Sequence, residues 1–355
     1  MNPWMEIRAG QAAHNFAVVR AAAAARGVRL GLVTKVVAGY RPLVERLVTA
    51  GADSIGEAHL ATLAAYADLA VEKWMIRSPA PSQVDEVVRF ADVSLVSEVA
   101  TARALGTAAL KQGRHHKVVV MVESGDRREG VLPQEAVRTC EQIDAISGVE
   151  LIGIGTEFGC LSDVVPSPVA MQEFAQLAGQ VEERLGRPLA VVSGGSSNAL
   201  KMLVDGSLPP GINHLRIGES ILTGRIVNYG IPLSDCFQDT ITLTAELIEI
   251  KDKPSQPTGP RAPGEPPVAT DSSYPDRGIR RRGLVAIGKQ DTDIHGLTPL
   301  DPAVTIAGAS SDVLVVDLTD SPTPYGLGDH ISFRLDYAAI LHAMVSPFVD
   351  KRLQE

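Results

Sequence analysis

Aromatic residues are scarce in this chain. Phe, Trp and Tyr make up 4% of 355 residues, so its core must be built from aliphatic and small side chains, which suit close packing of helices on a sheet. Cysteine is scarcer still. Cys140, Cys160 and Cys236 are odd in number and widely spaced, which excludes a disulfide framework and a cysteine metal motif and favours a reducing cytoplasm. No lysine- and arginine-rich face is present. The net charge of −9 argues against nucleic acid or an anionic membrane as partner, and the one basic run, 277–282, is short and borders a segment expected to be flexible. No apolar run approaches the roughly 18 residues of a membrane span, and the N-terminus lacks the charged-then-apolar pattern of a signal peptide. The eight histidines show no ligand spacing, and His115-His116 reads as a solvated turn, so no metal is expected. These absences describe a soluble cytoplasmic protein.

From residue 10 to about residue 230, two periodicities alternate. Three-four apolar spacing predicts helices near 11–26, 41–50, 57–67, 97–112, 133–146, 168–185 and 196–206. Between them lie eight short apolar runs, at 29–34, 53–55, 73–76, 93–96, 118–122, 151–154, 189–192 and 214–217. Parallel strands buried on both faces read as unbroken apolar runs. Eight of them alternating with helices predict a (β/α)8 barrel, with a doubly wound open sheet as the alternative. After residue 236 helical spacing nearly vanishes, and β-type runs at 240–250, 284–287, 304–306, 313–318 and 331–335 predict a mostly antiparallel β-domain. The expected organisation is a barrel over 10–235 and a β-domain over 236–355, joined by the N-terminal strand 1–9. The Pro-, Gly- and Ser-rich segment 253–276 reads as an exposed loop.

A barrel carries its chemistry just beyond the C-terminal ends of its strands. Lys35 ends the first run, where desolvation makes an amine nucleophilic and fit for a Schiff base; a lysine there also reaches solvent easily. The fifth run leads into Glu123-Ser124-Gly125-Asp126-Arg127-Arg128-Glu129-Gly130, and the sixth into Gly155-Thr156-Glu157-Phe158. The seventh meets Ser193-Gly194-Gly195-Ser196-Ser197-Asn198, a small-residue turn that suits phosphate or simply caps a helix. The eighth ends in Arg216-Ile217-Gly218-Glu219-Ser220. Phosphate sites after the seventh and eighth strands recur in barrels, and one lysine with several arginines on the same rim makes a coherent site.

These stretches resemble the fold-type III pyridoxal-phosphate racemases, the alanine racemase superfamily, in its ornithine racemase and predicted amino-acid racemase branch. The resemblance runs from Trp4-Met5-Glu6-Ile7 and Asn15 to Ser346-Pro347-Phe348-Val349. Its most specific parts are Val33-Thr34-Lys35-Val36-Val37, Gly125–Gly130, Ser193-Gly194-Gly195, Leu215-Arg216-Ile217-Gly218-Glu219, Gly288-Lys289-Gln290-Asp291 and Gly308-Ala309-Ser310-Ser311-Asp312. It implies a homodimer with shared active sites acting on a free amino acid. Lys35 would carry pyridoxal 5'-phosphate and act as one base, Arg216 would face the pyridine nitrogen, and Ser193, Gly194, Gly195, Gly218 and Glu219 would bind the phosphate. Arg128, Glu157, Ser311 and Asp312 would meet the substrate. Where alanine racemases place a tyrosine base this chain has Lys289, the expected second base, with Asp291 as its alternative. An acidic mouth of Asp126, Glu157 and Glu219 favours a basic substrate such as ornithine, although Arg127 and Arg128 oppose it. The same scaffold also serves lyases (aldolases, dehydratases, decarboxylases) and cofactor carriers, which stand as the alternatives.

Overall fold

The chain begins with strand β1 (Trp4–Arg8), whose alternation buries Met5 and Ile7 and leaves the residues between them partly exposed. The computed structural model describes residues 2–259 and 276–355. They divide into two compact units, one formed by Ala9–Gln238 and the other by Met1–Arg8 with Asp239–Glu355.

In the first unit eight parallel strands close into a barrel: β2 (Arg29–Val33), β3 (Ser54–Glu57), β4 (Glu72–Met75), β5 (Val93–Val96), β6 (His116–Val122), β7 (Val149–Thr156), β8 (Val191–Ser196) and β9 (His214–Ile217). Pairing of β2 with β9, Leu30 opposite Leu215 and Leu32 opposite Ile217, makes the closure. All eight expected runs are strands. Trp74, Val93, Leu95, Val119, Met121, Ile152 and Val191 pack together as a core cluster. The helices between strands begin and end where local chemistry dictates. In Pro168–Leu185, Ser167 accepts the Ala170 N–H at 3.1 Å, proline occupies the first turn, and Gly186 closes the helix at φ 66°.

Five expectations need correction. His116, expected with His115 in a solvated turn, is a fully buried residue of β6 whose Nε2 lies 2.8 Å from Ser94 Oγ. The seventh run was placed at 189–192, but β8 continues to Ser196, so Ser193-Gly194-Gly195 is strand and not a turn. A register irregularity between Ser193 and Ser196 absorbs the glycines, and the turn begins only at Ser197. The helix Val84–Phe90 was missed because its buried face is only Val87 and Val88. A second missed helix, Tyr337–Val345, lies in the region where helical spacing nearly vanishes. Its cap, Asp336 accepting the Ala339 N–H at 2.9 Å, is nonetheless explicit in the sequence. Finally, the basic run belongs largely to a strand, where Arg280 pairs with Asp317 at 2.7 Å.

Past the barrel, β10 (Arg225–Ile226) and β11 (Ile231–Pro232) form a small ribbon. The second unit holds β12 (Ile241–Pro254), β13 (Ile279–Val285), β14 (Leu297–Pro299), β15 (Thr305–Ala309), β16 (Leu314–Asp317), β17 (His330–Leu335) and β18 (Asp350–Gln354). They pair in the order β14-β17-β12-β13-β16-β15, all antiparallel. Strand β1 adds antiparallel to β12 and parallel to β18. Of the expected loop 253–276, residues 260–275 lie outside the described residues; Lys253 and Pro254 end β12.

Asn15, fully buried in the helix Ala9–Ala24, donates to the carbonyls of Ile221 (3.0 Å) and Phe237 (2.8 Å) and accepts the Phe237 N–H (2.8 Å). Replacing it with a same-sized apolar group strands those backbone groups away from water. Asn15→Leu is expected to lower unfolding stability by about 2–4 kcal/mol in a urea titration; a change near zero would show that the three bonds contribute nothing net.

Candidate active site

Period-two alternation along β9 sends Leu215 and Ile217 one way and His214 and Arg216 the other. His214 stacks on Trp74 of the core cluster, with centroids 4.8 Å apart and planes 12° from parallel. Burial, then the charges of Arg216 and Arg29, hold its imidazole down to about 3, so the ring is neutral. Gly31 makes room for it, since a Cβ there would lie 3.1 Å from Nε2. Arg216 is 4% exposed. Its guanidinium donates to Ser193 Oγ (2.5 Å), to the Thr156 carbonyl (2.8 Å) and to Glu157 Oε2 (2.9 Å). Because Ser193 Oγ accepts from Arg216, its own proton goes to His214 Nδ1, 2.9 Å away. The His214 proton then sits on Nε2.

Lys35 opens a short 3-10 turn, Lys35–Val37, directly after β2. The pairing of Val33 with Gly56 sets the end of β3 beside it. The last residue of β3, Glu57, is 1% exposed and accepts the Thr34 hydroxyl at 2.5 Å. Burial pushes the Glu57 carboxyl up to about 7, against the Thr34 and Ala58 hydrogen bonds and the Lys35 charge, which pull it down. Sequence reasoning missed this residue by ending the third run at Ile55. The available signal was a carboxyl at the C-terminal end of a barrel strand.

The small-residue segments lie around this point. Ser197 Oγ accepts the N–H groups of Gly218 (3.3 Å) and Ser220 (3.4 Å), which leaves its own hydroxyl proton to donate. Ser220 Oγ is buried without a hydrogen-bond partner. Gly218 has to be glycine, because a Cβ would lie 2.5 Å from the Val33 carbonyl oxygen. Two buried hydroxyls, a lysine amine and a fixed arginine form a donor set that suits a phosphorylated aldehyde such as pyridoxal phosphate. Sequence reasoning quoted Ser197 and Ser220 within its two phosphate-type turns but gave neither a role; Gly194 and Gly195 instead continue β8, and Glu219 opens the short helix Glu219–Thr223.

The acidic mouth expected from Asp126, Glu157 and Glu219 is largely neutralised from within. Burial raises the Asp126 carboxyl, but N–H donation from Ser162, Leu161 and Cys160 with the Ser162 hydroxyl outweighs it and leaves Asp126 ionised and fully engaged. Glu157 is committed to Arg216, with the two side chains only 10% and 5% exposed. Arg128 is joined to Glu129, through Nη2 at 2.6 Å and through Nε.

In the second unit the predicted residues form one cluster. Lys289 and Gln290 donate their N–H groups to the Ser310 and Ser311 carbonyls, each at 3.0 Å. Gly288 packs so closely that a Cβ would lie 2.4 Å from the Asp312 nitrogen. Lys289 is exposed. Asp291 is not: at 5% exposure its oxygens accept the Gly288 N–H and the Ser346 hydroxyl, each at 3.2 Å. That geometry makes Asp291 a brace of the turn that carries Lys289. Ser310 and Ser311 hydroxyls converge on Asp312 Oδ1 at 2.8 and 3.2 Å.

Residues 7–225 match the model of the alanine racemase N-terminal domain. The chain is 36% identical over 328 residues to an ornithine racemase of Acetoanaerobium sticklandii, covering 92% of each protein. It is also 36% identical over 334 residues to a lysine racemase of Thermotoga maritima, covering 93% of this chain and 92% of the relative. Among solved structures, an alanine racemase of Streptomyces lavendulae shares the fold at a TM-score of 0.75 and 19% identity, over 100% of this chain and 97% of that one. A D-threonine aldolase of Filomicrobium marinum does so at 0.76 and 16%, over 96% and 88%. The family match and the ornithine and lysine racemase relatives make the chain an amino-acid racemase, an isomerase. The chain belongs to the family of the alanine racemase N-terminal domain, whose members depend on pyridoxal phosphate.

A carboxyl that titrates near 7 when folded and near 4.5 when unfolded binds its proton more tightly in the native state. Its contribution to stability is therefore complete below about pH 4.5 and lost as pH rises through about 7. Glu57→Gln removes this dependence. Between about pH 4 and pH 8 the variant is expected to gain roughly 3 kcal/mol relative to the parent in urea titrations; a difference independent of pH would refute the assignment.

Proposed function

We propose that this chain racemises a free basic amino acid, ornithine or lysine, with pyridoxal phosphate held on Lys35. The observation that carries the reading is the 36% identity to an ornithine racemase and a lysine racemase over more than nine-tenths of the chain. The placement of Lys35 beside buried hydroxyls on the barrel rim supports it. Bound pyridoxal phosphate supplies the electron-withdrawing ring that makes the substrate Cα–H acidic.

The chain's own residues supply the rest. Ser197 and Ser220 would donate hydroxyl hydrogen bonds to the phosphate, with the backbone of Glu219; Gly218, whose N–H is given to Ser197 Oγ, would supply the close approach that only glycine allows. Arg216, anchored by Glu157, would present a permanent positive charge to the pyridine nitrogen, oppose its protonation and so disfavour side reactions. Arg128 exchanges Glu129 for the substrate carboxylate, which a guanidinium binds through two parallel bonds. Asp312 of a second copy of the chain, kept ionised by hydrogen bonds from Ser310 and Ser311, would suit the side-chain ammonium. Inversion needs a proton carrier on each face of Cα. Lys35 serves one face, and Lys289, contributed by a second copy of the chain, serves the other. The working form is thus a cytoplasmic homodimer with shared sites.

With pyridoxal phosphate and L-ornithine or L-lysine, chiral chromatography is expected to show the D enantiomer. Lys35→Ala should abolish it, and Lys289→Ala should slow it about 10²–10⁴-fold while cofactor still binds. Racemisation near the parent rate in Lys289→Ala would remove that residue from the mechanism, and cleavage products in place of the D enantiomer would indicate a lyase.

A further inference from the structure

Thr34 occupies the N-cap position of the turn that carries Lys35, yet its side chain makes no cap hydrogen bond. A threonine there normally satisfies one of the free N–H groups of the turn. Here the hydroxyl points across to β3 and donates to Glu57 Oε1. The backbone of the pair is fixed as well, by Thr34 N–H to the Gly56 carbonyl (3.0 Å) and Ile76 N–H to the Glu57 carbonyl (3.0 Å). Next to this carboxyl lies Tyr66, fully buried, with a hydroxyl that has no hydrogen-bond partner. The Glu57 charge acts on Tyr66, as does the Arg41 charge from the neighbouring helix. The cation that acts on Glu57 itself is Lys35.

A buried carboxyl is costly to ionise, and the Thr34 hydroxyl, the Ala58 N–H and the Lys35 charge are what favour the ionised form of Glu57 against burial. We propose that Glu57 is a positioning residue for Lys35, fixing the turn through Thr34 and governing the reactivity of the lysine amine by its own charge. Only the neutral amine attacks a carbonyl or accepts a proton from Cα. An ionised Glu57 holds the Lys35 ammonium and suppresses the neutral form; a protonated Glu57 does not. Since Glu57 changes state near neutral pH, the amine acquires a dependence on pH that belongs to its neighbour. The catalytic meaning rests on the reading of Lys35 as the cofactor-bearing residue. The test below uses no cofactor and no substrate, so it succeeds or fails separately from that reading.

The full-length chain, without pyridoxal phosphate, is acylated with trace acetic anhydride from about pH 5 to pH 10. Labelling of Lys35 is read by peptide mass spectrometry, with exposed Lys111 as the internal standard. In the parent the Lys35 profile is expected to show an extra step near pH 7. Glu57→Gln should abolish the step and raise labelling several-fold above it. Thr34→Val, which removes a hydrogen bond that favours the ionised carboxyl, should keep the step but move it to higher pH. A purely structural Glu57 would leave the profile unchanged in shape. The proposal is overturned by a step that persists unmoved in Glu57→Gln, or by a step that does not shift in Thr34→Val should the first variant fail to fold.

Discussion

A guanidinium does not lose its proton under any condition in which this protein is folded, so a buried Arg216 has to be matched by acceptors on every side. The barrel provides them from three strands. Arg216 stands on β9, Ser193 on β8, and Thr156 and Glu157 at the end of β7. This one cation therefore fixes where three strand ends lie relative to one another. It also fixes the direction of the polar chain beneath it: Ser193 can only accept from Arg216, so it donates to His214, whose neutral ring then stacks on Trp74. Removing Glu157 or Arg216 singly would leave a nearly buried charge uncompensated, a change that typically costs about 3–5 kcal/mol. In the proposed chemistry the same permanent charge is what restrains the cofactor ring.

Four carboxyls around the rim show how environment divides identical groups. Asp126 is surrounded by N–H donors and stays ionised. Glu157 is held by Arg216, and Glu129 by Arg128. Glu57, with one hydroxyl and one N–H as hydrogen-bond donors, is the carboxyl among these four that burial pushes up into the neutral range. A count of acidic residues at the mouth does not distinguish these cases, and so it overstates how far the sequence alone points to a cationic substrate.

The barrel was legible because parallel buried strands leave continuous apolar runs, and 29–34 through 214–217 are such runs. The placement of Lys35 after β2 and of Arg216 in β9 was legible for the same reason, since those runs mark the strand ends. What escaped was of two physical kinds. Glycine-rich strand looks like turn in a sequence, so Ser193-Gly194-Gly195 was placed outside β8; only pairing with β9 shows otherwise. Pairings across the closed barrel carry no local signal either. Glu157 and Arg216 are 59 residues apart, and Thr34 and Glu57 are 23 apart, so the partners of both carboxylates appear only when the strands are side by side. The helix Tyr337–Val345 was different, since its Asp336 cap was readable and was outweighed by the strand-like runs around it.

The most direct test of the central claim, proton exchange through both faces of Cα, is solvent deuterium incorporation into ornithine and lysine, followed by NMR with pyridoxal phosphate present. Starting from either enantiomer, the account predicts deuterium at Cα in the product of opposite configuration. Deuterium gained with complete retention of configuration, from L or from D, would mean a single working face and would contradict it.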